Sequence, residues 1–139
     1  MVILSVDYGR ARTGVAVCDE SEVVASPVAT VKEYNMDVLA KKITDIAKEK
    51  SAREIVLGLP RNMDGSEGES AANVRVFREK IIELCDIPVT LRDERCTTIT
   101  AHEYLNMNNK RGKKRKEIVD SVAAVIILED YLSYRRNRK

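Results

Sequence analysis

The sequence predicts an α/β fold built on a mixed five-stranded sheet, with three antiparallel strands followed by two parallel ones and helices flanking them. Three observations carry this prediction. Short apolar, β-branched runs at the start of the chain are separated by turn residues, which reads as consecutive strands joined by hairpins. Beyond residue 35 the apolar spacing changes to a helical period, then alternates between helix-like and strand-like segments. Each later strand follows a helix, so it joins the sheet by a crossover and runs parallel to the first strand.

The first run, Ile3-Leu4-Ser5-Val6, delivers one carboxylate, Asp7, where the strand leaves the core, and it breaks at Gly9. Arg10 and Arg12 cross the turn, and residues 14–18 return as a second strand, leaving the backbone of residues 9–13 close enough to approach a ligand. Asp19-Glu20-Ser21-Glu22 reads as a hairpin turn into a third strand at residues 23–25, which Pro27 confines to an edge or an irregular extension. Asn35 caps a helix over residues 36–50, with Leu39, Ile43, Ile46 and Ala47 on one face and lysines on the other. Residues 54–59 form a short apolar strand ended by Pro60. The next loop carries Asp64-Gly65 and a capping box, Ser66-x-x-Glu69, so a second helix starts there; its stripe is Val74, Phe77, Ile81 and Leu84, and it stops before Ile87-Pro88.

Residues 89–92 make the fifth strand, which terminates in Asp93-Glu94-Arg95. Thr97 or Thr98 caps a short helix to about residue 105, and residues 106–112 are polar and loop-like. A last helix over residues 116–134 presents Ile118, Val122, Val125, Ile126 and Leu132, with Ala123 and Ala124 allowing close approach to the sheet.

With 139 residues the chain fits one domain, residues 1–139, whose core needs neither disulfide nor structural metal. Charge is abundant but balanced, 24 basic against 22 acidic residues, so its distribution says more than its sum. Residues 110–116 read Lys-Arg-Gly-Lys-Lys-Arg-Lys, and Arg135, Arg136, Arg138 and Lys139 close the chain, which concentrates positive charge in the last third. Like charges this dense favour disorder in the free protein and contact with phosphates in a complex. Cys18, Cys85 and Cys96 have neither paired spacing nor a histidine nearby, which argues against a zinc site or a disulfide framework and for a reducing compartment. No window is long and apolar enough to span a bilayer and no secretory leader is evident, so the expectation is a soluble cytoplasmic protein without a membrane partner.

Three carboxylate positions fall at comparable places: Asp7 on the first strand, Asp93-Glu94 at the end of the fifth, and Asp120 early in the last helix. All three can converge on one edge of one sheet. Hard divalent cations such as Mg²⁺ or Mn²⁺ take oxygen ligands of this kind, and two such ions can activate water on one side of a phosphodiester while stabilising the leaving oxygen on the other. Each acid also has a plain structural reading: Asp7 as a turn former, Glu94 as a surface partner of Arg92 or Arg95, Asp120 as a favourable charge near a helix N-terminus. Asp120 lies among Val119, Val122 and Ala123, however, where an unpaired carboxylate is costly unless a cation is present. Alternate strand residues face opposite ways, so spacing leaves Asp93 and Glu94 both open. His102 has no evident role, Cys96 lacks a base that would make it a nucleophile, and Tyr8 either stacks on a base or packs at the strand end.

The motifs Val6-Asp7-Tyr8-Gly9 with Arg12-x-Gly14-Val15-Ala16-Val17, Gly58-Leu59-Pro60 with Met63-Asp64-Gly65-Ser66, Asp93-Glu94-Arg95 with Thr97-Thr98, and Val119-Asp120-Ser121-x-Ala123-Ala124 with Leu128 together resemble the YqgF (RuvX) family. The resemblance covers nearly the whole chain in order. It implies an RNase H-like fold related to the RuvC resolvases, and either pre-16S rRNA nuclease or Holliday junction resolvase activity. It also implies that Asp7, Glu94 and Asp120 are the catalytic acids and metal ligands, with Asp93 the alternative to Glu94. Thr13 and Cys18 stand where the family more often carries a branched apolar residue and a serine.

The expectation is therefore an Mg²⁺- or Mn²⁺-dependent nuclease acting on structured nucleic acid, most directly the 5′ end of pre-16S rRNA, as a monomer or homodimer. The turn at Gly9, with Arg10 and Arg12, and then Arg95, Lys113, Lys114, Arg115 and Lys116 would contact the nucleic acid. One rival is a resolvase of four-way DNA junctions. A second, of another class, is a non-catalytic RNA-binding assembly factor that uses the basic segments alone. A third is a kinase-like ATPase, which needs two such lobes where this chain supplies one.

Overall fold

The computed structural model describes residues 1–62, 64–93 and 112–137, with backbone alone at residues 112–120. Along the chain lie β1 (Ile3–Asp7), β2 (Arg12–Cys18), β3 (Ala25–Lys32), α1 (Met36–Glu49), β4 (Glu54–Leu59), α2 (Glu69–Leu84), β5 (Val89–Asp93) and α3 (Gly112–Asn137). The strands form one sheet in the order β3-β2-β1-β4-β5. β1 pairs antiparallel with β2 and β2 with β3, whereas β4 runs parallel to both β1 and β5. The mixed sheet expected from the sequence is thus present, with β1 at its centre.

Strand alternation divides the core into two layers. Leu4 and Val6 of β1, Ile55 and Leu57 of β4 and Val89 of β5 pack beneath α1 and α2, around the fully buried Phe77 and Ile81. Burying each side chain of that size contributes about 1.5–3 kcal/mol. Ile3, Ala16 and Val56 face the other way, onto Ala124, Ile127, Leu128 and Tyr131 of α3. Ser5 shares that second face, and its hydroxyl donates a 2.7 Å hydrogen bond to the Ala124 carbonyl.

At the other end of α3, the Tyr131 hydroxyl donates to the buried Glu54 carboxylate, which also accepts from Thr90. Arg135 bonds Glu22 at 2.7 Å. These groups lie where β1 and β4 begin, so α3 runs antiparallel to β1 and its residues before 124 lead toward Asp7.

Several local expectations are corrected. β3 begins at Ala25 and continues through Pro27 to Lys32, because an edge strand tolerates the missing amide and a bulge between Val15 and Ala16 absorbs the irregularity. Ser66 is not the cap of α2: Gly68 holds that position without a side-chain bond, while Ser66 N–H and hydroxyl both donate to Asp64. Asn35 does cap α1, accepting from the Val38 amide.

The last helix starts at Gly112 rather than near 116, so residues 112–116, expected to be disordered, are helical. Lys and Arg are good helix formers, and on a helix their charges spread around the axis. Ala123, Ala124 and Leu132 of α3 are buried as expected, but Ile127 and Leu128 complete that face, while Val122, Val125 and Ile126 are only half-buried. Alanines let the helix come close to the strands, and that contact outweighs the larger side chains. The expected helix over residues 97–105 lies outside the described residues.

Candidate active site

Asp7 follows Ile3 and Ser5 by the two-residue period, so it is carried on the α3 face of β1, half-buried and opposite Gly14 of β2. The chain then turns tightly. A Cβ on Gly9 would lie 2.0 Å from the Arg12 carbonyl oxygen, so glycine is required by close approach. The buried Thr13 hydroxyl staples the same turn, accepting from the Gly9 amide at 3.2 Å and donating to the Gly9 carbonyl at 3.3 Å. A branched apolar residue at position 13 could make neither bond. Arg10 is exposed at the tip and Arg12 half-buried at the start of β2. Cys18, the other unusual position, accepts from the Ile3 amide at 3.2 Å, and burial raises its thiol pKa.

β5 resolves part of the ambiguity at its end. Thr90 and Arg92 are on the α3 face: Thr90 bonds Glu54, and Arg92 bonds Asp130 at 2.7 Å with its guanidinium 4.6 Å from the Tyr134 ring centre. Val89, Leu91 and Asp93 therefore belong to the opposite face, and Asp93 is paired in register with Leu59. Arg61 of the loop after β4 reaches Asp93 at 3.7 Å and Glu67 at 3.5 Å. Arg75 binds Glu67 at 2.8 Å and lowers its pKa. Asp93 thus belongs to an ion-pair ladder on the α2 side, away from the face that carries Asp7. No local pattern signals the Arg61 contact, because it joins a loop residue to the end of a strand distant in the chain.

Glu94 and Arg95 lie outside the described residues. Asp120, Lys113, Lys114, Arg115 and Lys116 are described by backbone alone, all on α3. Residue 120 is one helical turn before Ala124, whose carbonyl holds Ser5, and that turn leads toward the Asp7 end of the sheet. Among the described residues no group of three or more Asp, Glu, His or Cys side chains could hold a metal. The donor available on this face is a carboxylate at a strand end, the hard oxygen ligand that Mg²⁺ or Mn²⁺ prefers.

On the α2 side of the same sheet end lies a cavity of about 270 Å³, bounded by Tyr8, Gly9 and Arg10 of the turn, Pro60, and Glu69, Ser70 and Asn73 of α2. Tyr8 packs its ring on Phe77, with centroids 4.9 Å apart.

Comparison with solved structures identifies the fold. The Thermus thermophilus RuvC chain, in a complex with a Holliday junction substrate, superposes with a TM-score of 0.62 at 12% identity, over 99% of this chain and 96% of that one. The fowlpox virus Holliday junction resolvase gives 0.56 at 14% identity, over 96% and 99%. The fold is RNase H-like.

The family follows from sequence. Residues 1–134 match the model of RuvX, described as a Holliday junction resolvase. A protein of Endomicrobium trichonymphae, named "Putative pre-16S rRNA nuclease", is 47% identical over 94% of this chain and 94% of its own length. A protein of the same name from Caldanaerobacter subterraneus is 39% identical over 99% of both chains. The chain belongs to the RuvX family.

Proposed function

We propose that this protein is a divalent-metal-dependent nuclease that cleaves structured RNA, trimming the 5′ end of pre-16S rRNA during ribosome biogenesis in the cytoplasm. The observation that carries this reading is the assignment of faces at the sheet end. Asp7 is carried on the α3 face, and the helix bearing Asp120 is pinned to that face by the Ser5 bond. Asp93 turns to the other side and pairs with Arg61, which favours Glu94 as the acid from β5.

In this reading Asp7, Glu94 and Asp120 hold Mg²⁺ or Mn²⁺. When bound, the ion supplies Lewis-acid stabilisation of the phosphodiester and a water of lowered pKa. The chain's own residues orient the substrate: Arg10 and Arg12 in the turn after Asp7, Arg95 next to Glu94 in the sequence, and Lys113, Lys114, Arg115 and Lys116 on α3, by phosphate contacts that position without reading sequence. The close approach at Gly9 keeps the turn tight, holding Arg10 and Arg12 next to Asp7 in the chain.

A second reading, resolution of four-way DNA junctions, is favoured by the description of the matching family. It requires a homodimer, because symmetric cuts across a junction need two sites related by a two-fold axis. Cleavage of a single RNA site needs only a monomer. The test offers precursor rRNA and a four-way junction side by side with Mg²⁺, Mn²⁺ or chelator. Metal-dependent cleavage of the RNA alone is expected. Cleavage of the junction alone would establish the second reading, and failure to cut either would leave a non-catalytic binding factor.

A further inference from the structure

We infer that the cavity between the β1–β2 turn and α2 is a subsite for one unpaired nucleobase of the substrate strand, beside the cleaved phosphodiester. The inference rests on the nucleic-acid reading above. Tyr8 is adjacent to Asp7 in the chain but is carried on the opposite face of β1, so a strand passing over the Gly9 turn brings a phosphate to one side and the neighbouring base to the other. At about 270 Å³ the space is just under the range of roughly 300–1,000 Å³ typical of small-molecule clefts, which suits one planar base and excludes two stacked ones.

The lining favours a base over a phosphate. Among the described residues the lining sets one carboxylate, Glu69, beside one cation, Arg10, so a phosphate there would meet a carboxylate as well as a guanidinium. Tyr8 and Pro60 offer flat apolar surfaces, and Tyr8 is held in place by its packing on the buried Phe77. Ser70 and Asn73, three residues apart on one face of α2, supply a hydroxyl and an amide for the base edge. Glu69 accepts from an exocyclic amine, and Arg10 is left for the backbone phosphate. Sequence-selective reading of RNA commonly works this way, on unstacked bases held between ring faces and polar edges.

The test measures binding, so it does not depend on turnover. The full chain carrying Asp7→Asn is titrated with single-stranded RNA oligonucleotides in which one abasic residue is moved through each position. At one position loss of the base should weaken binding about tenfold, or about 1.4 kcal/mol, as expected for one lost base–aromatic stack. The double variant Ser70→Ala/Asn73→Ala should lose affinity for the intact strand but lose little more for the strand abasic at that position. In addition, 2-aminopurine placed there should be quenched on binding, and Tyr8→Leu should relieve the quenching. If no position is sensitive, or if the variant's loss adds fully to that of the missing base, the subsite is wrong while the nucleic-acid reading stands. If neither these strands nor a four-way junction binds at all, both fail.

Discussion

Removing the Ser5 hydroxyl tests how α3 is held over the site. Its 2.7 Å bond to the Ala124 carbonyl joins two residues with no solvent exposure, at the centre of β1 and at the closest approach of the helix. In Ser5→Ala the carbonyl keeps its helical partner, so the cost is that of one buried hydrogen bond plus a small void, about 1–2 kcal/mol. For a chain of this size that lowers Tm by roughly 3–6 °C. Ser5→Val fills the void but adds a methyl group between the strand and Ala123 and Ala124, where overpacking costs about 1–3 kcal/mol. Valine should therefore be no better than alanine. In the proposed site this contact would hold residue 120 over the Asp7 end of β1, so both variants should lower kcat more than they raise KM; misplacing a reacting group by an ångström costs up to about a hundredfold. Thermal melts by circular dichroism without metal, followed by cleavage assays, measure both effects. A Ser5→Ala protein melting within about 1 °C of wild type, or a valine variant more stable than wild type, would refute this account of how α3 docks.

Gly9→Ala places a methyl 2.0 Å from the Arg12 carbonyl, so the turn must open; activity should fall at least tenfold in a protein that still folds, as read by cleavage assay and circular dichroism. Glu22 is held down to about 2 from an ordinary 4.5, chiefly by the hydrogen bond from Arg135. A depressed folded pKa stabilises above the unfolded value and loses that effect as pH falls from about 4.5 toward about 2, an effect of roughly 1–2 kcal/mol after solvent screening. Arg135→Met should flatten this acid limb in urea melts, and an unchanged limb would mean the pair is not formed. Mg²⁺ or Mn²⁺ at a hundredfold over its dissociation constant should add about 2.7 kcal/mol to wild-type stability and less to Asp7→Asn; equal shifts would put the ions elsewhere.

Much of this was legible because the signals were local. The two-residue period at Ile3 to Val6 and the helical spacing of Leu39, Ile43 and Ala47 each set an element without reference to the rest of the chain. Asp7 was legible for the same reason, as an acid ending an apolar run. The misreadings came where tertiary contact decides. Ser66 has the spacing of a cap, but its hydroxyl accepts from the Asn62 side-chain amide and donates to Asp64 within the loop. The close approach of α3 at Ala123 and Ala124 was legible, but it turns Ile127 and Leu128 inward in place of Val122, Val125 and Ile126. The ambiguity between Asp93 and Glu94 needed the pairing of Asp93 with Leu59 to settle the face of Asp93. The cavity beside Gly9 joins three separated segments, so no local pattern marked it.

The assignment of faces is tested most directly by measuring metal-dependent cleavage for Asp93→Asn and Glu94→Gln beside Asp7→Asn and Asp120→Asn. Each substitution removes a charge with little change in volume, so all four proteins should fold. The account predicts that Asp7→Asn, Glu94→Gln and Asp120→Asn lose activity by several orders of magnitude, whereas Asp93→Asn, which weakens the contact with Arg61 on the opposite face of the sheet, keeps most of it. An inactive Asp93→Asn beside an active Glu94→Gln would contradict it.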